Sequence, residues 1–258
     1  MTDPLTRFST RVGNYVKYRP TYPPETVQLL KDCCGLNDSS LIADIGSGTG
    51  ISSELFLRNS NSLFGVEPNE AMRTAAEQLL AAYPQFVSVN GTAEATTLAN
   101  NSVDFIVAAQ AFHWFDQDEA KREFVRILRP GGWVVLIWNE RLLDTSAFLK
   151  GYEDLLMRFG VDYQQVRHEN VASEIAAFFA PEKFELKVFK NAQNFDFASL
   201  KGRLLSSSYV PEATHPTFNP MLAKLEELFE ANQRDGKVSF DYETKIYFGH
   251  FMKRNEPD

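Results

Sequence analysis

Apolar positions along the chain fall into short runs, separated by turn residues and by stretches with helical spacing. Leu41–Ile45 is the first such run, and it ends in Gly46-Ser47-Gly48-Thr49-Gly50. A helical stretch over Ile51–Asn59 follows, then a second strand over Leu63–Glu67. Asn69 is placed to cap a helix reaching Ala82, with Glu70 in the first turn, where the helix dipole favours negative charge. Phe86–Val89 and Val103–Ala109 read as the third and fourth strands. Asp116 is a cap for a helix that carries Phe124, Ile127 and Leu128 on one face and is stopped by Pro130-Gly131-Gly132. Trp133–Trp138 is apolar throughout, as a strand buried on both faces should be. Strands alternating with helices in this way predict βαβ units and a parallel, twisted sheet, an α/β doubly wound fold.

The flanks are less regular. Tyr18-Arg19-Pro20-Thr21-Tyr22-Pro23-Pro24 carries three prolines in seven residues, which excludes a regular helix across it, and a helix is expected just after, from Glu25 towards Cys34. Beyond Asn139, Thr145–Phe159 and Asn170–Phe179 look helical and Phe184–Lys190 looks like a strand. Phe197–Ser206 and Met221–Gln233 look helical again, and Val238–Phe248 is a long final run of strand type. The two late strands are expected at a sheet edge, with Thr145–Ala180 as a helical cap over the carboxyl ends of the sheet. The organisation predicted is an arm and helix over 1–40, a binding core over 41–140, and a cap with final strands over 141–258 that completes the same domain.

Composition narrows the chemistry. The 258 residues carry a net charge of −8, with 23% charged and 44% hydrophobic types, which is ordinary globular composition. A pI near 5.2 argues against nucleic acid as the main partner, since phosphate contacts need clustered Lys and Arg, and it permits a local basic pocket. Apolar runs are strand-sized, so no membrane partner is expected, and the first twenty residues hold no apolar core of a signal peptide. Cys33 and Cys34 are adjacent and form neither a disulfide framework nor a zinc site, so a reduced, cytoplasmic setting is expected. His168, His215 and His250 are scattered and point to no metal.

The most informative segment is Ala43-Asp44-Ile45-Gly46-Ser47-Gly48-Thr49-Gly50. Glycines at every second position after a strand allow a tight turn and bring bare backbone to a ligand at the carboxyl end of the sheet. The second strand ends twenty-three residues past Asp44 in Glu67, where a carboxylate can accept from both hydroxyls of a ribose. The alternative is a plain turn and an acid that only ends a strand. A dinucleotide G-x-G-x-x-G loop would need glycine where Ile51 stands, and no Gly-Lys-Ser/Thr closes a P-loop. Asp44 ahead of the glycines would repel a pyrophosphate and suit an ammonium. A ligand with a ribose, an adenine and a cationic centre but no phosphate fits, as S-adenosylmethionine does.

These residues resemble the class I S-adenosylmethionine-dependent methyltransferases, and within them the small-molecule branch that includes trans-aconitate methyltransferase-like proteins. The resemblance rests on Ala43–Gly50, on Gly65-Val66-Glu67-Pro68-Asn69, on Gly91-Thr92-Ala93-Glu94, on Ala109-Gln110-Ala111-Phe112-His113-Trp114-Phe115-Asp116, and on Leu128-Arg129-Pro130-Gly131-Gly132. It implies a Rossmann-like, seven-stranded, mostly parallel sheet whose last strand is antiparallel. It implies that Asp44 and the Gly46, Ser47, Gly48 and Gly50 backbone hold the methionine part, and Glu67 the ribose. Pro68 and Met72 would line the adenine, Ala93 and Glu94 would read its edge, and Gln110 with Ala111 would meet the ligand amino group. The activity implied is methyl transfer to a small molecule, and two alternatives stand beside it: a cofactor-binding regulatory protein without turnover, and a NAD-type oxidoreductase.

Methyl transfer is an in-line displacement, so orientation and a dry site matter more than a protein nucleophile. A carboxylate acceptor needs no base, whereas a hydroxyl can. His113 is the candidate base, or else a structural histidine in an aromatic wall. Trp114 and its aromatic neighbours either pack against the cationic methyl and acceptor or belong to the core. Tyr15, Arg19 and Tyr22 lie on an arm that either folds over the site or stays solvated. Arg141 either pairs with a substrate carboxylate or sits on the surface with Asp144, and Tyr209 is a candidate from the late region. The acceptor and the oligomeric state are not encoded in any readable motif.

Overall fold

The computed structural model describes residues 12–161, 163 and 171–251. In chain order its elements open with α1 (Val12–Tyr18) and α2 (Glu25–Cys34), followed by β1 (Leu41–Ile45), α3 (Ile51–Leu57) and β2 (Ser62–Val66). Then come α4 (Glu70–Leu79), β3 (Phe86–Val89), β4 (Val103–Ala109), α5 (Gln117–Ile127) and β5 (Leu128–Arg141). The late region holds α6 (Ala147–Phe159), α7 (Val171–Phe179), β6 (Phe184–Phe195), α8 (Phe197–Leu205), α9 (Phe218–Asn232) and β7 (Val238–His250). The caps read from sequence are in place: Asn69 accepts from Met72 N and Asp116 accepts from Glu119 N, each satisfying a first-turn amide that has no partner inside its helix.

All seven strands form one sheet in the order β3-β2-β1-β4-β5-β7-β6. β1 lies parallel between β2 and β4, which places the β1 loop at the point where the strand order reverses. Alternate residues of each central strand feed two separate cores. Ala43 and Ile45 pack with Ile106, Ala108, Val134 and Leu136 on one face. Ile42, Phe105, Val107, Val135 and Ile137 face the other, against Leu29 and Leu30 of α2 and Phe56 and Leu57 of α3.

The late region departs from expectation in two places. β7 is antiparallel, as the resemblance implies, but it pairs with both β5 and β6, so Val238–His250 is interior to the sheet and β6 alone forms that edge. Its alternating inward residues Val238, Phe240, Tyr242, Thr244 and Ile246 are buried, which suits a strand paired on both sides. The helical cap is also divided differently. α6 packs with α8 and α9 around a third core that includes Tyr152, Leu204, Leu225 and Phe240. α7 joins the sheet instead, because Ile175, Phe178 and Phe179 fill the first core beside Phe112 and Phe124. At the start of β5, Pro130 supplies no amide and Gly131 takes φ +79°, and the strand runs through this Pro-Gly-Gly turn with a register shift opposite Val103 and Phe105.

Candidate functional site

The loop after β1 is held by its own backbone. Gly46 N and Ser47 N donate to Val66 O at 2.8 and 3.2 Å, which ties the loop to the end of β2. Gly46 has φ +68°, and a Cβ there would lie 2.6 Å from Ala111 Cβ, so glycine is what lets this loop touch the loop after β4. Gly50, at φ +85°, starts α3.

Asp44 lies beneath this loop, fully buried. Its Oδ2 accepts from the Ser52 and Ser53 hydroxyls, both at 2.7 Å, and its buried Oδ1 accepts from no group among the described residues. Burial pushes the Asp44 carboxyl up to about 6, against the pull of the two serine hydroxyls. Glu67 is different: it stands in the cavity wall with each oxygen already anchored. Oε2 accepts from Gly48 N at 3.0 Å and Oε1 from Asn69 N at 2.9 Å. Burial raises the Glu67 carboxyl above its ordinary value, and these two amides and the nearby Arg73 act the other way. Arg73 Nη1 braces the turn from outside by donating to Glu67 O, Pro68 O and Asn90 Oδ1.

A cavity of about 720 Å³ opens above these groups, within the size range of small-ligand sites. Gly46, Ser47, Gly48, Glu67, Pro68, Met72, Ala93, Glu94, Gln110 and Ala111 line it, as do His113, Trp114, Arg141, Tyr15, Arg19, Tyr22 and Tyr209. Asp44 and Gly50 support the loop from behind the wall. Glu94 Oε1 accepts from Asp116 N at 2.9 Å, linking the β3 loop to α5. Gln110, at φ +56°, accepts Asn139 N at 2.7 Å through Oε1, clamping the ends of β4 and β5 together. His113 sits between the rings of Trp114 and Trp138, at centroid distances of 4.6 and 5.2 Å.

The far end of the cavity is basic. Arg141 is not on the surface and does not pair with Asp144: its side chain is 12% exposed, and Nη2 meets Glu153 Oε2 at 2.5 Å and donates to Tyr163 OH at 3.0 Å. Its Nη1 is buried without an acceptor. Arg19 comes from the arm and donates to Ser206 O at 3.1 Å. Arg203, from α8, is 7% exposed and donates to Ser207 Oγ at 3.2 Å. The sequence reading missed Arg203, yet a signal was there. It lies between Leu200 and Leu204 on the apolar stripe of an amphipathic helix, where a charge is costly unless it has a use. Cys33 and Cys34 are free thiols at the end of α2, and neither lines the cavity. His215 bonds Thr217, and His250 stacks on Trp133, both outside the cavity, whereas His168 lies outside the described residues. Among the described residues no cluster of three or more metal-ligating side chains occurs, and no helix is long and apolar enough to cross a membrane.

A doubly wound sheet of this order, with a glycine loop after β1 and an anchored acid after β2, is a Rossmann-like arrangement whose cavity lies at the switch point. Known proteins agree. The methyltransferase domain family matches residues 43–136. An uncharacterized methyltransferase of Schizosaccharomyces pombe is 34% identical over 249 residues, covering 93% of this chain and 95% of that protein. An uncharacterized methyltransferase of Mycobacterium tuberculosis is 39% identical over 134 residues, 52% of each chain, so the chain spans about half the length of these mycobacterial relatives. The fold matches an N-methyltransferase of Haemonchus contortus, solved with phosphomonomethylethanolamine and S-adenosylhomocysteine, at a TM-score of 0.54 and 15% identity over 93% of this chain and 56% of that one. A chain from Anaeromyxobacter dehalogenans, provisionally assigned as a type II methyltransferase, aligns at a TM-score of 0.67 and 24% identity over 90% and 96%. The chain belongs to the class I S-adenosylmethionine-dependent methyltransferases, and S-adenosylmethionine is the methyl donor of that family. Membership sets aside the oxidoreductase alternative.

Proposed function

We propose that this protein methylates a carboxylate oxygen of a small, multiply charged acid, in the manner of the trans-aconitate methyltransferase-like branch that the sequence resembles. The observation that carries the reading is the basic end of the cavity, where the guanidiniums of Arg19, Arg141 and Arg203 stand against one partner carboxylate, Glu153. A buried cation with an unused donor is costly unless an anion arrives to meet it. Arg141 Nη1 is such a donor, and a carboxylate is its natural acceptor.

The residues at the other end fit the cofactor. Glu67 keeps lone pairs beyond its two backbone anchors, which suits a ribose diol, and the Gly46–Gly48 backbone leaves space that any Cβ at Gly46 would take. In this reading Pro68 and Met72 line the base, Ala93 and Glu94 meet its edge, and Gln110 and Ala111 meet the amino-acid part. Asp44 acts from beneath, by fixing Ser52 and Ser53 at the start of α3 and by setting a negative field under the ligand's cationic groups. When bound, S-adenosylmethionine supplies an electrophilic methyl carbon on a sulfonium. A carboxylate acceptor already carries its attacking lone pair, so His113 removes no proton and serves, with Trp114 and Trp138, as a wall that excludes water. The acid is free and diffusible rather than a nucleic acid, and the free thiols of Cys33 and Cys34 fit a reducing cytoplasm.

The test is methyl transfer from S-adenosylmethionine to a panel of mono-, di- and tricarboxylic acids, with ester formation read by mass spectrometry. Wild type should esterify the di- or tricarboxylic acids. Arg141→Gln should raise the acceptor KM by roughly 10- to 100-fold, the scale of a lost charged hydrogen bond, and leave S-adenosylhomocysteine affinity unchanged. Transfer to neutral amines or alcohols with all acids inert would overturn the reading. Binding of the cofactor without transfer to anything would favour the regulatory alternative.

A further inference from the structure

We propose that Arg19 and Arg203 form an anion-operated latch, in which one carboxylate of the bound acceptor bridges the two guanidiniums and holds the N-terminal arm shut over the cavity. This rests on the reading above, that the acceptor is a small polyanion, and adds a second subsite remote from Arg141 in the chain.

The two arginines come from separate elements, the arm and α8, and both line the cavity. Arg203 is nine-tenths buried, and the Nε atoms of both residues are sealed from solvent without an acceptor. Among the described residues neither is paired with a carboxylate: Arg19 donates to Ser206 O, and Arg203 meets only neutral groups, Ser207 Oγ and the Tyr242 hydroxyl. They are close enough to repel: burial, then the charge of Arg203, holds the Arg19 guanidinium below its ordinary range. Two like charges in the wall of one cavity, each with an idle donor and neither with a carboxylate partner, describe a site whose missing member is an anion. A carboxylate offers two oxygens with about four lone-pair sites, enough for N–H groups of both guanidiniums, and cancels the repulsion.

What this anion would control is the arm. The arm reaches α8 at the same place: a Cβ on Gly202 would lie 2.0 Å from Tyr18 Cε2, so the Tyr18 ring lies directly on the helix backbone beside Arg203. The hydrogen bonds that hold Tyr18 and Thr21 are neutral. Thr21 O accepts from Asn191 Nδ2 at 2.8 Å and from Asn139 Nδ2 at 3.3 Å, and Tyr18 O accepts from Gln193 Nε2 at 3.4 Å. Such bonds exchange readily with water, and the Arg19–Arg203 repulsion works against them. Filling the site with an anion reverses the sign of that term, so acceptor binding and arm closure assist each other, and the coupling is reciprocal.

Hydrogen exchange of the Tyr15–Tyr22 segment, followed by mass spectrometry on the full chain saturated with S-adenosylhomocysteine, tests this. Citrate and succinate are the probes, with acetate and glycerol as controls. Citrate or succinate should slow exchange of the arm about tenfold, which is about 1.4 kcal/mol of closure free energy, and glycerol should do nothing. Arg203→Gln removes the repulsion: without any acid, its arm should exchange more slowly than wild type, and the acids should add no further protection. Arg203→Lys keeps the charge and should keep the fast, acid-free exchange. A wild-type arm indifferent to both acids, or an Arg203→Gln arm that exchanges faster than wild type, overturns the latch; the second result marks Arg203 as a purely structural contact. Ester formation is scored separately on the same preparations. Esters formed by a protein whose arm ignores the acids would sink the latch alone, and an arm that responds without any transfer would sink the methyl-transfer reading alone.

Discussion

Asp44→Asn in the ligand-free protein gives the most quantitative test of the site. The Asp44 carboxyl moves from an ordinary 3.8 to about 6 because it is buried. Its pKa is therefore raised on folding, and its contribution to stability is fully present below pH 4, where both states hold the proton. It is lost as pH rises through 6, because the unfolded chain gives up its proton first. At about 1.36 kcal/mol per tenfold change in proton affinity, the whole loss is about 3 kcal/mol, of which about 1.3 kcal/mol falls between pH 5 and 7. The asparagine variant has no proton to lose. Its amide keeps an oxygen for Ser52 and Ser53 and places its nitrogen where Oδ1 now lacks a partner, which shifts its stability by a constant at every pH. Urea denaturation at a series of pH values from 5 to 7.5 measures the difference. The wild type should lose about 1.4 kcal/mol relative to the variant across that range, with most of the change below pH 6.5. Parallel curves would show that Asp44 titrates normally and that burial under the loop does not strain its charge.

Two further changes test the cavity wall. In Glu67→Gln the amide nitrogen must face either Gly48 N–H or Asn69 N–H, a donor against a donor, so S-adenosylhomocysteine affinity should fall by roughly 1–3 kcal/mol in calorimetric titration; an unchanged Kd would mean the ribose is held elsewhere. Gly46→Ala places a Cβ 2.6 Å from Ala111 Cβ at a left-handed φ, and should cost about 1–3 kcal/mol of stability by denaturation while weakening cofactor binding. A variant as stable as wild type would show that the two loops have room to separate.

The core of the fold was legible because its signals are local. β1 through β4 are short runs bounded by glycine or by helix caps, and Asn69 and Asp116 cap the helices assigned to them. The Gly46–Gly50 loop and Glu67 are a sequence motif, so that side of the cavity could be named residue by residue. The late region was harder, because pairing between distant strands leaves no local mark. Nothing in Val238–His250 says that it inserts between β5 and β6. α7 carries the same apolar content as a cap helix, and only the partners of Phe178 and Phe179 assign it to the sheet core. α1 was hidden by the prolines that follow it; Pro20 excludes a helix beyond Tyr18 but not before it. Arg203 went unread because a single arginine in a helix has the appearance of an ordinary solvated charge until its neighbours Leu200 and Leu204 are seen to be buried.

The antiparallel insertion of β7 has a consequence for how the protein is made. β5 and β6 are not neighbours in the sheet; each pairs with β7, which leaves the ribosome after both. Until it arrives, β5 presents an open edge of apolar residues, Val134 through Trp138, to whatever is nearby. Tyr242, Lys245 and Tyr247, which line the cavity, arrive on the same strand. The nascent chain can thus assemble its glycine loop early, but it stays vulnerable to aggregation and lacks a finished cavity until synthesis has passed β7.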